Sequence, residues 1–268
     1  MTDKRPQLHA SGMGLLTNCG EAWRRRYIEG EVVPPSAALI IGSATHASID
    51  INLSNKIENG ELLDVGAVRE IAADMVQTSF DGGDVMLEKG ESKGKAAGVA
   101  KDMAVSLSEL HHADVAPWID PESVETSFLI HAEGYPFDLA GTYDVLEHGG
   151  VVRDTKTCKA KMSQAKADGS VQFDAYAFAY KLTRGELPKR MVFDNLVKTK
   201  VPKYVEVETV RDDGDTQCFL RRFEAACKVI EAGVFLPADP TQSWLCGPRY
   251  CGYWSTCVFA KGRGRPQT

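Results

Sequence analysis

Chemistry concentrates in the stretch GTYDVLEHGGVVRDTKTC, Gly141 to Cys158. Asp144 lies on one run rich in β-branched residues, Asp154 and Lys156 lie on the next, and Gly149-Gly150 separates the two runs. Pairing of such strands brings Asp144 near Asp154, and the period-two alternation puts Asp154 and Lys156 on one face. Two carboxylates at that spacing can hold a hard divalent cation, Mg²⁺ or Mn²⁺, which takes oxygen ligands. A lysine beside them can orient or deprotonate a water at the metal, or neutralise charge developing on a phosphate. The triplet is not decisive alone. A second acidic-x-Lys copy, Glu91-Ser92-Lys93, falls in a glycine-rich stretch with no partner strand and reads as solvated charge.

Further donors stand elsewhere. His46 closes GSATH, which reads as a small-residue turn opening a helix, where an imidazole can serve as a metal ligand. Gln172 and Tyr176, in QFDAY, are four residues apart and share a helix face. Glu125, on the strand before the hairpin, could assist the metal site but reads more readily as an ordinary exposed strand residue. Of the seven cysteines, Cys246, Cys251 and Cys257 crowd into CGPRYCGYWSTC, while Cys19, Cys158, Cys218 and Cys227 are isolated. The count is odd and no export signal precedes it, so a disulfide framework is not expected. Cys218 and Cys227 lie in a helical pattern and read as small buried thiols.

The order GSATH, GTYDV, DTK, QFDAY resembles the successive motifs of PD-(D/E)XK nucleases of the RecB/AddB exonuclease branch, which includes CRISPR-associated adaptation exonucleases and phage-encoded nucleases. The resemblance implies that His46, Asp144 and Asp154 bind Mg²⁺ or Mn²⁺ with the Thr155 carbonyl as a further ligand. It makes Lys156 the catalytic lysine, acting with Asp144 and Asp154, and has Gln172 and Tyr176 position the DNA strand. Asp154 stands where many members carry glutamate. Members with an iron-sulfur cluster use one cysteine far upstream and three near the C-terminus, which here selects Cys19, Cys246, Cys251 and Cys257. Four thiolates equally suit Zn²⁺, and the resemblance favours a 4Fe-4S cluster, with Tyr250, Tyr253 and Trp254 packed around it. The implied function is a metal-dependent DNA exonuclease acting at ends or on single strands, in recombination, repair or phage DNA processing, with DNA and a recombination protein as partners. Two alternatives are a catalytically silent nucleic-acid-binding protein with a metal-cluster staple and a zinc-stapled interaction protein. The intact His46, Asp144, Asp154 and Lys156 count against the first.

These residues need a scaffold. Helical patterns run through Tyr27, then past Pro34-Pro35, then over Val65 to Ser79 and Lys95 to His112, the last two separated by a glycine-rich loop that reads as mobile. From Ser123 a three-stranded meander follows, then a helix between an N-capping Ser170 and Gly185, two strands, and a helix that ends near Gly233. The expected fold is α/β, a mixed sheet flanked by helices. It is expected to form a single nuclease domain, with residues 1–120 mainly helical, 121–235 the α/β core, and 236–268 a cysteine-rich segment packing on the N-terminal helix. The 268 residues are 43% hydrophobic with net charge -6, which excludes a uniformly basic coat but not a local basic groove. Lysines and arginines cluster at Arg24-Arg25-Arg26, at Lys159, Lys161 and Lys166, at Lys198, Lys200 and Lys203, and at Lys261, Arg263 and Arg265; each cluster alone reads as solvated charge. No apolar run suits a membrane span, and the first residues lack the apolar core of a signal peptide, so the expected setting is the cytoplasm of a bacterial or phage-infected cell.

Overall fold

The computed structural model describes residues 5–88, 90–241, 243 and 245–260; Lys261, Arg263 and Arg265 lie outside them. The N-terminal stretch, expected as one helix, is a short strand, β1 (Gln7–His9), followed by α1 (Ala10–Asn18) and α2 (Gly20–Tyr27). The break falls at Cys19, whose backbone is extended (φ -162°, ψ 99°). Gly20 allows it, because a Cβ there would lie 2.8 Å from the backbone nitrogen of Leu236.

Ser36 caps α3 (Ala37–Asn59) by accepting from the Leu39 N–H, directly after the Pro34-Pro35 break. His46 therefore sits well inside a long helix, not at a turn that opens one. The glycine of GSATH has a different use: a Cβ on Gly42 would meet Thr157 Oγ1 at 3.2 Å, so its absence lets α3 lie close to the strand carrying the DTK triplet. Helices α4 (Val65–Asp81) and α5 (Lys93–Asp114) are capped by Asp64 and Ser92. The glycine-rich segment between them is anchored where the Met86 N–H donates to the Pro35 carbonyl at 2.9 Å. Ile40, Ala44 and Leu53 of α3 pack with Val76 and Phe80 of α4 and with Ala100, Ala104 and Leu107 of α5.

The meander follows as β2 (Pro121–Ile130), β3 (Asp138–Glu147) and β4 (Val151–Cys158). After β4 come α6 (Gln164–Asp168), α7 (Val171–Arg184), β5 (Arg190–Val197), β6 (Lys203–Thr209) and α8 (Asp213–Glu231). Ser170 and Gly185 bound α7 as expected, the latter in the left-handed region at φ 83°. Strands β3 and β4 are antiparallel with Val145 opposite Arg153, β4 and β5 are parallel with Asp154 opposite Phe193, and β5 and β6 are antiparallel. The parallel pair is joined by the crossover through α6 and α7, as parallel strands require. The result is the mixed sheet with flanking helices that the sequence predicts.

Packing divides the chain into two compact units, one of Pro35–Phe128 with Gly141–Gln217 and one of Met1–Pro34, Leu129–Ala140 and Cys218–Thr268. The first holds the hairpin and α3. The second holds β1 paired in parallel with the opening residues of β3, Leu8 opposite Leu139. No helix among the described residues is long and apolar enough to cross a membrane.

Candidate metal centre and cysteine cluster

The β3–β4 register, carried one step past Val145 and Arg153, sets Asp144 opposite Asp154. The Thr155 N–H donates to Asp144 Oδ2 at 2.9 Å, which fixes that carboxylate against the neighbouring strand. Asp154 is fully buried; one of its oxygens lies 2.5 Å from Lys156 Nζ and the other accepts from Gln172 Nε2 at 2.7 Å. From α3, His46 presents Nδ1 to Asp144 Oδ2 at 3.4 Å. The hairpin and α3 thus bring together His46, Asp144, Asp154, Thr155 and Lys156, although α3 lies far from the hairpin in sequence.

Among the described residues, the donor atoms that gather most tightly are those of His46, Glu125 and Asp144, all within 4.8 Å of one another. The set expected from sequence had Asp154 in place of Glu125. In the structure Asp154 is occupied by Lys156 and Gln172, whereas Glu125 on β2 leans into the group. Glu125, which the sequence offers only as a secondary helper to the metal site, stands with His46 and Asp144. Its backbone has φ 46°, a left-handed conformation unusual for a side chain within a strand, and the β-pattern of VETSFLI carries no sign of it.

The electrostatics favour a cation. Burial, then the Asp154 charge, drives the Asp144 carboxyl well above its ordinary range, with Lys156 opposing. Burial, then Asp154, raises Glu125 as well. Carboxylates packed so closely resist ionising together until a positive charge joins them. Burial holds the His46 imidazole below its usual value, so at neutral pH it is uncharged and has a lone pair to give. Carboxylate oxygens with one imidazole fit Mg²⁺ or Mn²⁺.

Helix α7 braces the centre. Gln172 Nε2 also lies 2.8 Å from Tyr176 Oη, which donates to the Thr142 carbonyl at 2.5 Å. Tyr176 is buried among Tyr143, Phe128 and Phe173. Burial, then the nearby Asp154, raises its hydroxyl far above the ordinary phenol range, so it remains a donor. On the opposite face of β4, Arg153 makes a bidentate pair with Asp194 at 2.8 and 2.7 Å and reaches Glu147 and Glu206. This buried fork ties β3, β4, β5 and β6 in register behind the site.

In the other unit, a cavity of about 230 Å³ is lined by Cys19, Cys246, Cys251 and Cys257 together with apolar Ala22 and Val33. Cys19 Sγ accepts from the Ala238 N–H at 3.3 Å. Burial, then the neighbouring Cys19, Cys257 and Cys246, raises the Cys251 thiol. The four sulfurs share this cavity with Arg25 and Arg26 as well as the apolar side chains. Trp254 is buried, Tyr253 donates to the Glu31 carbonyl at 3.2 Å beneath Arg25, and Tyr250 is half exposed. Cys227 is buried as expected, but Cys218 is exposed, because it falls on the outer face of α8.

A mixed sheet that sets paired carboxylates, an imidazole and a lysine at a hairpin defines the core of a nuclease. The chain belongs to the PD-(D/E)XK nuclease superfamily, whose sequence profile matches residues 7–258. Its fold is similar to the crystal structure of a protein from Eubacterium rectale that carries the name "Putative exonuclease": TM-score 0.55, 14% identity, with 90% of this chain and 87% of that one covered. The structure of SSO0001 aligns over 97% of this chain and 89% of that one at 10% identity, with a TM-score of 0.43. A comparison with curated proteins gave no match.

Proposed function

We propose that the protein is a divalent-metal-dependent deoxyribonuclease of the RecB/AddB type, an exonuclease acting at DNA ends or on single strands in recombination, repair or phage DNA processing. The observation that carries this reading is the convergence of His46, Glu125 and Asp144 donor atoms within 4.8 Å of one another, beside the Asp154–Lys156 pair. His46, Asp144 and Asp154, with Glu125 and the Thr155 carbonyl adjacent, hold Mg²⁺ or Mn²⁺, which supplies Lewis acidity and an activated water when bound. Lys156, partly exposed at 35%, reaches the scissile phosphate and stabilises charge as it develops. Uncharged His46 gives its lone pair without adding positive charge. Gln172 and Tyr176 take the role of positioning residues: Gln172 fixes the Asp154 rotamer, and Tyr176 ties α7 to β3 at Thr142. In this reading they act through Asp154 in place of the direct strand contact expected from the sequence.

The four cysteines hold a 4Fe-4S cluster, with zinc as the alternative, and staple the N-terminal helices to the C-terminal segment. The test is cleavage of end-labelled single- and double-stranded DNA with Mg²⁺ or Mn²⁺. Wild type releases labelled mononucleotides or short oligonucleotides, and EDTA or Asp154→Ala abolishes the release. Wild-type turnover by Asp154→Ala on every DNA tried would falsify the assignment.

A further inference from the structure

Two lysine groups that look unremarkable in the sequence become one surface in the fold. Strands β4 and β5 run parallel with Cys158 opposite Val197, so the segments that leave them emerge side by side. The Lys198 N–H donates to the Cys158 carbonyl at 2.7 Å, extending the ladder past both strand ends. Buried Asn195 fastens the two segments: its Oδ1 accepts from the Met162 N–H, and its Nδ2 donates to the Val205 carbonyl, each at 3.1 Å. Lys159 and Lys161 thereby join Lys198, Lys200 and Lys203 on a rim held in place by backbone, while Lys166 lies away from it on α6, which is tied to Glu208 and Thr209 at the other end of β6.

The charge on this rim is unbalanced. From Thr155 to Ala167, and again from Asn195 to Val205, the chain carries lysines and no carboxylate. Among the described residues none of these five rim lysines makes an ion pair, while Arg24, Arg69, Lys181, Arg184, Arg190 and Lys228 each pair with a glutamate or aspartate. Lys198 is held below its ordinary value first by burial, and Lys159 pushes it the same way. A protein of net charge -6 thus leaves like charges facing one another at one place. Such repulsion is relieved by a polyanion.

Position decides which polyanion. The rim begins just past the end of β4 at Cys158, with Lys159 three residues beyond Lys156 and roughly 10 Å along the chain, so an extended phosphodiester chain with one phosphate at Lys156 passes its neighbouring phosphates within reach of the rim. We propose that Lys159, Lys161, Lys198 and Lys200 form the track that binds the DNA backbone adjacent to the cleaved bond. This rests on the nuclease reading above.

The test separates the two. Binding of a long fluorescent single strand is followed by anisotropy in EDTA, where no cleavage occurs, over a range of salt concentrations. Lys161→Gln/Lys200→Gln should bind about tenfold more weakly, and the slope of log affinity against log salt should flatten by roughly 1.4, at about 0.7 per phosphate on a single strand. Lys93→Gln/Lys101→Gln, with the same change of net charge on α5, should leave both unchanged. Hydrolysis of a small p-nitrophenyl ester of thymidine monophosphate with Mn²⁺ should be equal in all three proteins, because it does not reach the rim. An unchanged affinity and slope in the rim variant, or an equal loss in the α5 variant, overturns the track. Failure of wild type to hydrolyse any ester or DNA overturns the nuclease reading instead, and leaves the binding result to stand or fall by itself.

Discussion

Gln172 and Asp154 are joined by a 2.7 Å hydrogen bond that runs from the α7 side chain to a fully buried carboxylate on β4. The glutamine therefore governs which oxygen Asp154 can turn toward a cation. Outer partners of this kind tune metal sites as strongly as the ligands do. Gln172→Ala should raise the Mn²⁺ concentration for half-maximal activity about 10–100-fold while leaving the KM for DNA nearly unchanged. Metal titration of activity alongside calorimetric Mn²⁺ binding distinguishes the roles; a raised KM with normal metal binding would mean that Gln172 touches the strand.

Lys156 lies 2.5 Å from Asp154, and in the nuclease reading it faces the scissile phosphate. Lys156→Ala should lower kcat about 100–1000-fold with little loss of DNA affinity. Equal losses in both, read from single-turnover kinetics and anisotropy, would reduce the lysine to a phosphate contact.

Glu125 joins function to strain. Glycine accepts φ 46° without a Cβ penalty, so Glu125→Gly should stabilise the metal-free protein by about 1 kcal/mol. Both Glu125→Gly and Glu125→Gln should weaken Mn²⁺ binding on the order of tenfold. Thermal melts with and without Mn²⁺ check the pair, and unaltered Mn²⁺ affinity in Glu125→Gln removes Glu125 from the centre.

His111 is buried on α5, its Nδ1 has no hydrogen-bond partner among the described residues, and burial, reinforced by Arg153, lowers it to about 3. Its folded value is depressed below the ordinary 6.5, so as pH falls from there toward 3 the unfolded chain takes up a proton that the folded one refuses. Stability from this group is thus lost with acid, at up to about 1.4 kcal/mol per pH unit. Wild type should lose stability faster than His111→Leu across that window in urea melts. Parallel curves would mean that the imidazole is protonated in the folded state.

Cys19 is remote in sequence from Cys246, Cys251 and Cys257 yet lines the same cavity. Anaerobically purified protein should contain iron and acid-labile sulfide, and Cys19→Ala should lose both and melt roughly 5–10 °C lower, for a loss of about 2–3 kcal/mol. Stoichiometric zinc without sulfide would replace the iron-sulfur cluster with a zinc site. Unchanged metal content and melting temperature would remove the staple.

Much of this was legible in the sequence because it depends on local rules. Strand alternation aligned Asp154 with Lys156, the glycine pair set the β3–β4 hairpin, and Ser170 and Gly185 marked the ends of α7. Each follows from dihedral preference and side-chain period, which neighbouring residues determine. Other features are set by distant contacts. Cys19 breaks a helical pattern because Gly20 meets Leu236, and Gly42 serves an approach to Thr157 that no local pattern announces. Glu125, exposed and in the left-handed region, brings its carboxylate beside His46 and Asp144, and the lysines after β4 and β5 become one surface only through parallel pairing across a helical crossover. The sequence determined which chemical groups exist and along which short elements they repeat. The tertiary structure decided which of them meet, because packing and strand order, which join residues far apart along the chain, set those distances.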